Sequence, residues 1–370
     1  DNYILGTNGG LLHYGYKPDN IKRDDLSWEK NQMINAGIDL QMFDGYIGFS
    51  VDYYNTNTSN MLLYVPVPLL TGYSTSLQNL GKVNNRGWEL ALTSQHTFAN
   101  GFGYSFNANY AKNTNEVKEL GPGNAPIISS GSVAHAYYIT EVGKPIGNYY
   151  LLVQDGIFAT EEDLKKYPHF DNTEVGDFRF VDVDGDGKLD LDKDRTICGN
   201  YMPKFTYGFG GKLWYAGFDM DFNFQGVYGN KILNLNKRYL DNMEGNTNGT
   251  KIALDRWKSP ENPGSGSVNK ANRKQTGYNS RTSTWHLESG SYLRLQNLSL
   301  GYTLPRALTQ KFKVEKMRVY VSGQNLFTIT NYSGYNPEVN ARPSKNLTPG
   351  EDYGTYPLAR TYMFGLNLTL

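Results

Sequence analysis

The sequence predicts an all-β fold, an antiparallel transmembrane β-barrel with long loops at one rim and short turns at the other. The first observation is composition: the 370 residues include 40 glycines, 29 tyrosines and 17 phenylalanines, with only 19% charged residues. Such a chain favours strands joined by tight turns. The second observation is a period-two alternation of apolar and polar residues, and the third is the pattern of connection lengths.

The alternation is clearest in the segment FDMDFNFQGVYG. Phe218, Met220 and Phe222 fall on one side of an extended chain, and Asp219 and Asp221 fall on the other. The same pattern occurs at 102–110 and at 362–370. In a soluble sandwich the apolar face is the core, whereas in a membrane barrel it meets lipid. The period alone leaves both folds open.

The connections between the predicted strands distinguish the two folds. Long connections at every second position are rare in compact domains and typical of membrane barrels, so the barrel is favoured over a soluble lectin-like sandwich. We predict roughly eleven strands, at 31–43, 46–62, 83–97, 102–113, 133–141, 146–155, 204–216, 217–229, 286–304, 316–330 and 356–370. Short turns are predicted at Asp44-Gly45, Asn100-Gly101, Gly143-Lys144, Ala216-Gly217 and 305–315. Long loops are predicted at 63–82, 114–132, 156–203, 230–285 and 331–355.

Several function classes are disfavoured by composition. Lysine plus arginine equals aspartate plus glutamate at 36 each, which is not the basic balance of a nucleic-acid binder. Cys198 is the one cysteine, so the chain has no internal disulfide. The five histidines are scattered without the spacing of a zinc site, and no pair of acids stands out as catalytic. We therefore expect no enzyme. The run EEDLKK at 161–166 predicts a short surface helix.

The run FVDVDGDGKLDLDKD is the one candidate metal site. Aspartates at alternating positions match the first half of an EF-hand-like calcium loop, with the Lys188 carbonyl at position 7, but position 12 is Lys193 instead of glutamate. Hard oxygen ligands suit Ca²⁺. A solvated acidic turn is the alternative interpretation. The candidate ligands are Asp182, Asp184, Asp186, Lys188, Asp190 and Asp194.

Nine runs of the sequence resemble SusC/RagA-type TonB-linked outer-membrane transporters of the Bacteroidota. They occur in family order and include LSWEKNQMINAGIDL (26–40), GKVNNRGWELAL (81–92), GDFRFVDVDGDGKLD (176–190), GSYLRLQNLSLGYTLP (290–305) and VYVSGQNLFTITNYSGYNPEV (319–339). The resemblance implies that residues 1–370 form the C-terminal part of the barrel, about half of a 22-stranded wall. The plug domain, the TonB box and the signal peptide would then lie outside this chain.

The resemblance also implies a function and partners. Such a protein imports a nutrient, an oligosaccharide or a peptide, across the outer membrane. A SusD-like surface lipoprotein caps the mouth, TonB supplies energy through the plug, and the barrel is surrounded by outer-membrane lipid. We expect the loops at 230–285 and 331–355 to contact lipoprotein and ligand, and the acidic loop to hold structural calcium. The alternative is a calcium-stabilised secreted β-protein, an adhesin or a lectin.

Overall fold

One antiparallel sheet dominates the computed structural model. The structure describes residues 2–8, 11–16, 21–67, 69–73, 75–245, 247–274 and 276–370. Its strands in chain order are β1 (Asn2–Asn8), β2 (Leu11–Tyr16), β3 (Lys30–Met42), β4 (Ile47–Pro66), β5 (Thr75–Thr97), β6 (Gly103–Leu120), β7 (Ile127–Ser130), β8 (Tyr137–Thr140), β9 (Asn148–Leu152), β10 (Gln154–Ile157), β11 (Phe178–Phe180), β12 (Arg195–Ile197), β13 (Phe205–Tyr215), β14 (Phe218–Tyr228), β15 (Lys231–Asn234), β16 (Leu287–Ser289), β17 (Tyr292–Thr303), β18 (Lys316–Thr330), β19 (Glu351–Asp352) and β20 (Thr361–Thr369).

The helices are short and lie in the connections. They are α1 (Glu161–Lys166), α2 (Lys237–Leu240) and α3 (Arg306–Thr309), with single 3₁₀ turns at Leu69–Thr71, Pro122–Asn124, Lys251–Asp255, Thr284–His286 and Gln310–Phe312. In the described residues, no helix has the length and apolar character needed to cross a membrane.

Nine strands form the main sheet in the order β20-β18-β17-β14-β13-β6-β5-β4-β3, and each neighbouring pair is antiparallel. The turn between β13 and β14 shows why the chain reverses so tightly. Ala216 and Gly217 both have positive φ, at 49° and 86°, as a two-residue hairpin requires. Strands β3 and β20 lie at the two edges, so the sheet is an open part of a barrel wall.

The apolar face of the sheet carries two belts of aromatic rings. Near the short turns, Phe102 contacts Tyr215 with ring centroids 6.5 Å apart. Toward the long loops, Phe205 lies between Tyr110 and Tyr228, with centroid distances of 5.2 and 5.0 Å. Phe205 and Tyr215 lie at the two ends of β13, so the belts are about 33 Å apart along that strand, at about 3.3 Å per residue. A strand tilt of about 40° gives a band about 25 Å tall, which matches the apolar band of a membrane barrel.

Two predicted barrel strands are wrong. Residues 133–141 and 146–155 contribute β8 and β9 to a separate four-stranded sheet in the connection between β6 and β13. Tyr138 and Tyr149 are fully buried there, so these apolar runs belong to a core and not to a lipid face. The turn at Gly143 consequently lies at the long-loop rim. The nine other predicted strands are confirmed.

The structure also shortens one predicted loop. Strand β4 extends to Pro66 and β5 begins at Thr75. The predicted loop at 63–82 is therefore mostly paired strand, a hairpin that continues β4 and β5 past the other strands of the main sheet. The alternation of short and long connections is otherwise confirmed. Three long connections remain, which we call the first, second and third long loops and together the loop assembly: residues 121–204, 229–291 and 331–360.

The loop assembly has hydrophobic cores that its three members share. Tyr138 and Tyr149 of the first long loop pack with Leu233 of the second in one fully buried cluster. Ile232 of the second packs with Tyr332 of the third in another. Strand β19 of the third long loop pairs in parallel with β15 of the second. The rim is therefore a packed structure in which each loop is held by its neighbours.

Candidate functional site

The acidic loop lies in the first long loop, between β11 and β12, at the exposed side of the loop assembly. It brings together Asp182, Asp184 and Asp194, each with one carboxylate oxygen within 4.8 Å of the others. In the part of the chain that the structure describes, no other group of histidine, cysteine or acidic side chains meets this distance. Three of the six predicted ligands are thus adjacent.

Asp194 closes the loop where the sequence lacks an acid at position 12. Its side chain has no solvent exposure. One oxygen accepts the Val183 N–H at 2.8 Å and the other accepts the Asp190 N–H at 2.6 Å. The residue after the expected position therefore reaches back to the start of the loop. The sequence showed Asp194 only as one of six candidate ligands, without indicating that it closes the loop.

The turn itself is shaped around Asp182. Its two oxygens accept the N–H groups of Gly185 and Gly187 at 2.7 and 2.8 Å. Both glycines have positive φ, 74° and 83°, a conformation that other residues adopt at a cost. The Asp-Gly spacing of the sequence is therefore used to turn the chain around the Asp182 carboxylate.

The remaining predicted ligands lie outside the cluster. Asp186 accepts the Lys188 N–H at 2.9 Å and lies 3.8 Å from the Lys193 ammonium. Asp190 accepts the Asp192 and Lys193 N–H groups, and these bonds lower the pKa of its carboxyl below the usual value. The Lys188 side chain is exposed, and its carbonyl stays a predicted ligand.

The donor set of the cluster fits a hard cation. Three carboxylates offer oxygen ligands only, which suits Ca²⁺ better than Zn²⁺. Asp194 is buried, and no ion pair joins it to a lysine or arginine in the described residues. Backbone N–H groups satisfy part of its charge, so a solvated turn closed by hydrogen bonds stays the alternative. The observed geometry fits both the calcium site and the solvated turn.

The polar face of the main sheet is a second candidate site, which the sequence did not reveal. A recess of about 420 Å³ opens on it across β6, β13, β14 and β17, over Gly208. We call it the carboxamide recess because five amide side chains line it: Asn107, Asn109, Asn223, Gln225 and Gln296.

Two glycines form the floor between these amides. A Cβ on Gly208 would lie 2.8 Å from Asn109 Oδ1. A Cβ on Gly210 would lie 3.2 Å from Asn223 Nδ2 and 3.4 Å from Asn107 Oδ1. Because these two residues of β13 have no side chains, the recess is open above them. The flanking amides line its sides.

An uncharged row extends the recess around the sheet. In this row, one residue of each main-sheet strand is paired with one residue of the neighbouring strand, and paired residues point to the same face of the sheet. The five amides of this row are Gln41, Asn107, Asn223, Asn297 and Gln324. The other four positions are Gly48, Thr93, Gly210 and Thr361. Sequence reasoning identified the polar face of single strands but missed the row, because the row depends on the register between strands.

The charged residues of this face lie above and below the row. On the short-turn side Arg318 of β18 binds Asp219 of β14 in a bidentate pair at 2.5 and 2.8 Å, across Gly301 of β17. On the long-loop side Arg294 forms an ion pair with Glu338. Both pairs satisfy their own charge within the wall.

The loop assembly exposes tyrosines above this wall. Tyr335 and Tyr356 are 83% and 88% exposed, and Tyr239 contacts Tyr353 through hydroxyls 3.3 Å apart. The third long loop is fixed to the first by Glu351, a carboxylate without solvent exposure. Exposed aromatic rings on a fixed support are typical of surfaces that contact a ligand or a protein.

Two histidines and the cysteine of the loop assembly have the character of structural residues. Burial lowers the pKa of His286 to about 3, and burial with the nearby Arg281 lowers that of His135 to about 4. Burial raises the pKa of the Cys198 thiol to about 11, so it stays protonated at neutral pH. These groups stay uncharged because they lack solvent.

Comparison with known proteins gives consistent results. The family described as TonB dependent receptor-like, beta-barrel matches residues 2–326. TonB-dependent receptor P3 of Formosa agariphila is 34% identical over 357 residues, which are 93% of this chain and 34% of the relative. TonB-dependent receptor SusC of Bacteroides thetaiotaomicron is 27% identical, over 97% of this chain and 34% of the relative. The chain thus spans about a third of the length of these relatives.

The fold resembles solved structures of one transporter. The structure of the RagAB peptide transporter superimposes with a TM-score of 0.76 at 24% identity, covering 99% of this chain and 38% of that chain. The "open-open" state of the RagAB peptide importer gives the same TM-score and identity. At this identity the similarity concerns the fold.

Proposed function

The chain belongs to the β-barrel family of TonB-dependent receptors, whose members lie in the outer membrane, and from that premise we propose that it forms part of a nutrient importer. In this proposal residues 1–370 supply the C-terminal part of the barrel wall and three of its outer loops. The imported nutrient is an oligosaccharide. A SusD-like lipoprotein shares the outer mouth, and TonB provides energy through a plug domain.

The observation that carries this proposal is the division of the main sheet into two unlike faces. One face is apolar and bounded by aromatic belts, with Tyr215 and Tyr228 both about half exposed. The other bears amides and self-contained ion pairs such as Arg318 with Asp219. A wall between lipid and a wet lumen needs both faces. A secreted adhesin or lectin would have no use for an exposed apolar face of this extent.

The loop assembly supports the partner part of the proposal. Its exposed tyrosines, with Tyr335 and Tyr356 most accessible, suit both stacking on sugar rings and docking of a lipoprotein. The RagAB structures support the barrel fold beneath this rim and identify no partner for it. They carry no preference for a peptide, because fold similarity at this identity does not transfer a substrate.

Growth tests the proposed import. Deletion of the gene in its native host should abolish growth on one class of oligosaccharide, while growth on monosaccharides continues. Growth on every oligosaccharide tested, together with failure on peptides, would reject the glycan assignment and leave the importer. Recovery of the protein outside the outer-membrane fraction would reject the importer.

We also propose that the acidic loop binds one structural Ca²⁺ through Asp182, Asp184 and Asp194, with Asp186, Asp190 and the Lys188 carbonyl as the further predicted ligands. The ion would stabilise a loop outside the membrane. It would supply the positive charge that no lysine or arginine among the described residues provides beside the buried Asp194. Bound calcium supplies charge neutralisation and no chemistry of reaction.

Metal analysis of the purified protein tests the calcium site. The triple variant in which Asp182, Asp184 and Asp194 become asparagine should lose about one calcium per chain by mass spectrometry. The matched control is Asp192→Asn, an exposed acid of the same loop that lies outside the cluster. Equal metal content in the two variants would support the solvated turn.

A further inference from the structure

The apolar face of the main sheet contains a groove near the short-turn rim. It crosses β13, β14, β17 and β18 and has a volume of about 610 Å³. Phe218 of β14 stands on one side and Phe364 of β20 on the other, and Val319 and Val321 of β18 lie between them. Valine is smaller than these aromatic side chains, so the surface is depressed there. We call this feature the outer groove.

The outer groove lies away from the parts of a transporter that are outside this chain. Strands β13, β14, β17 and β18 each pair with a described strand on both sides, so no further wall strand fits between them. Asp219 and Gly301 also border the groove, but they alternate with the apolar residues and belong to the polar face. A plug domain in the lumen would meet that polar face. The outer groove therefore faces away from the lumen, toward the bilayer.

A basic turn lies directly next to the outer groove. Residues 305–315 join β17 to β18, and the side chains of Arg306, Lys311 and Lys313 are exposed there. No ion pair or side-chain hydrogen bond joins these three cations to another described residue. The segment contains one acid, Glu315. We call residues 305–315 the basic turn, and its positive charge is in excess.

The basic turn is also amphipathic. Leu308 and Phe312 are four positions apart on the helical segment formed by α3 and the 3₁₀ turn after it, and they are 49% and 75% exposed. Thr309 is buried, and the Glu315 N–H donates to the Thr369 carbonyl of β20 at 2.8 Å, so the segment is fixed to the wall. Exposed apolar side chains beside exposed cations are typical of a segment at a membrane interface.

The other short connections of the main sheet lack this character. The segments FDGY (43–46), FANGF (98–102) and AG (216–217) contain no lysine or arginine. Connections this short are enough to reverse the chain between antiparallel strands. The hairpin geometry therefore does not require the longer connection with three cations. That connection joins two of the strands that carry the outer groove.

We propose that the basic turn and the outer groove together bind one anionic phospholipid of the leaflet next to the periplasm. Short turns of outer-membrane barrels lie on the periplasmic side. The lipid phosphate would lie beside Arg306, Lys311 and Lys313, because each basic residue near an anionic lipid surface adds to the attraction. An acyl chain would lie in the outer groove, over Val319 and Val321.

The spacing of the two parts fits one lipid molecule. Lys316 begins β18 directly after the basic turn, and Val319 lies three residues further along, which is about 10 Å at about 3.3 Å per residue. A headgroup at the turn therefore places the first part of an acyl chain at the level of Val319. The inference goes beyond the proposed import, because it requires only that the wall lies in the outer membrane.

Native mass spectrometry of lipid binding tests the inference. The whole protein is purified from outer membranes, stripped of lipid in detergent, and titrated with phosphatidylglycerol, which is anionic, or phosphatidylcholine, which is zwitterionic. The unaltered protein should bind one phosphatidylglycerol more tightly than phosphatidylcholine. The charge variant Arg306→Gln, Lys311→Gln, Lys313→Gln should bind phosphatidylglycerol about tenfold to a hundredfold more weakly and should lose the preference.

A groove variant tests the apolar part without a change of charge. Val319→Phe combined with Val321→Phe fills the outer groove with side chains that are also apolar and remain compatible with lipid contact. This variant should bind both lipids more weakly, while the preference for the anionic lipid remains.

The matched control for the charge variant removes three cations from the opposite rim, in Lys165→Gln, Lys166→Gln, Lys188→Gln. These side chains are exposed and belong to the first long loop. The control should bind both lipids as the unaltered protein does. All variants are compared at equal outer-membrane abundance and equal thermal stability, so that a folding defect is not counted as a loss of binding.

Four results would overturn the proposal. Equal binding of phosphatidylglycerol by the charge variant and its control rejects the basic turn as the headgroup site. Unchanged lipid binding by the groove variant rejects the outer groove as the place of the acyl chain. Displacement of the lipid by millimolar inorganic phosphate rejects a phospholipid in favour of a free anion. Conversion of a dimer to a monomer by the groove variant, with lipid binding unchanged, assigns the groove to a second copy of the protein.

Discussion

Substitution of Glu351 by alanine should detach the third long loop from the first. The Glu351 carboxylate has no solvent exposure and accepts bonds from three donors. The Ser132 N–H lies 3.1 Å from both of its oxygens, the Tyr138 hydroxyl lies 3.1 Å from one, and the Ser132 hydroxyl donates to the other. Alanine would leave the buried Tyr138 hydroxyl unpaired, whereas the two donors of the exposed Ser132 could bond water instead.

The magnitude follows from these bonds. The buried Tyr138 hydroxyl left without an acceptor costs about 1–3 kcal/mol. Water replaces the bonds of the exposed Ser132 donors, and removal of the buried charge returns part of the cost, so the net loss is about 1–3 kcal/mol. The population of the open form of the rim should rise by roughly a factor of 5 to 140, at 1.4 kcal/mol per tenfold.

Hydrogen exchange measures the opening. The amides of β7, β8 and β19 should exchange faster by that factor in Glu351→Ala, while the amides of β13 and β14 keep their protection. Glu351→Gln, which keeps the shape and one acceptor, should fall between the two. Glu161→Ala, at an exposed position in α1, is the control. Unchanged exchange at β8 and β19 in Glu351→Ala would refute the assignment of Glu351 as the tie between the loops.

Two further predictions concern the wall and the pH response. Gly301→Ala should displace the Arg318 guanidinium from Asp219, because a Cβ would overlap it, and should cost about 1–2 kcal/mol in thermal unfolding of the barrel; an unchanged unfolding temperature contradicts this. The pKa of His286 is lowered from 6.5 to about 3, chiefly by burial, so its contribution is present above pH 6.5 and is lost as the pH falls toward 3. At pH 5 the loop assembly should be about 2 kcal/mol less stable than at pH 7, and His286→Gln should flatten that slope in hydrogen exchange; an equal slope in both proteins contradicts it.

Local patterns predicted most of the fold. The period-two segments around Phe222 and Phe364 became wall strands because one face of each is apolar, and the Asp44-Gly45 and Ala216-Gly217 pairs became the expected turns. The helix predicted at 161–166 is confirmed, with Thr160 as a reciprocal cap to Asp163. These features depend on neighbouring residues, which a sequence displays directly.

Features set by long-range packing were predicted less well. The segments containing Tyr138 and Tyr149 have strand-like composition, yet their burial depends on Leu233 in another loop. The closure of the acidic loop by Asp194 needed the fold of the chain to bring it back to Asp182. The carboxamide recess needed the register of four strands. These contacts join segments that are far apart in the sequence, so no local sequence pattern predicts them.

The shared cores of the loop assembly limit how such a protein can diversify. A second long loop with smaller side chains in place of Ile232 and Leu233 would leave cavities against Tyr332 and Tyr149. Cavities of that kind cost several kcal/mol, of order 2–5 for one large apolar side chain. Chimeras that exchange all three loops as a set should therefore fold where single-loop exchanges fail.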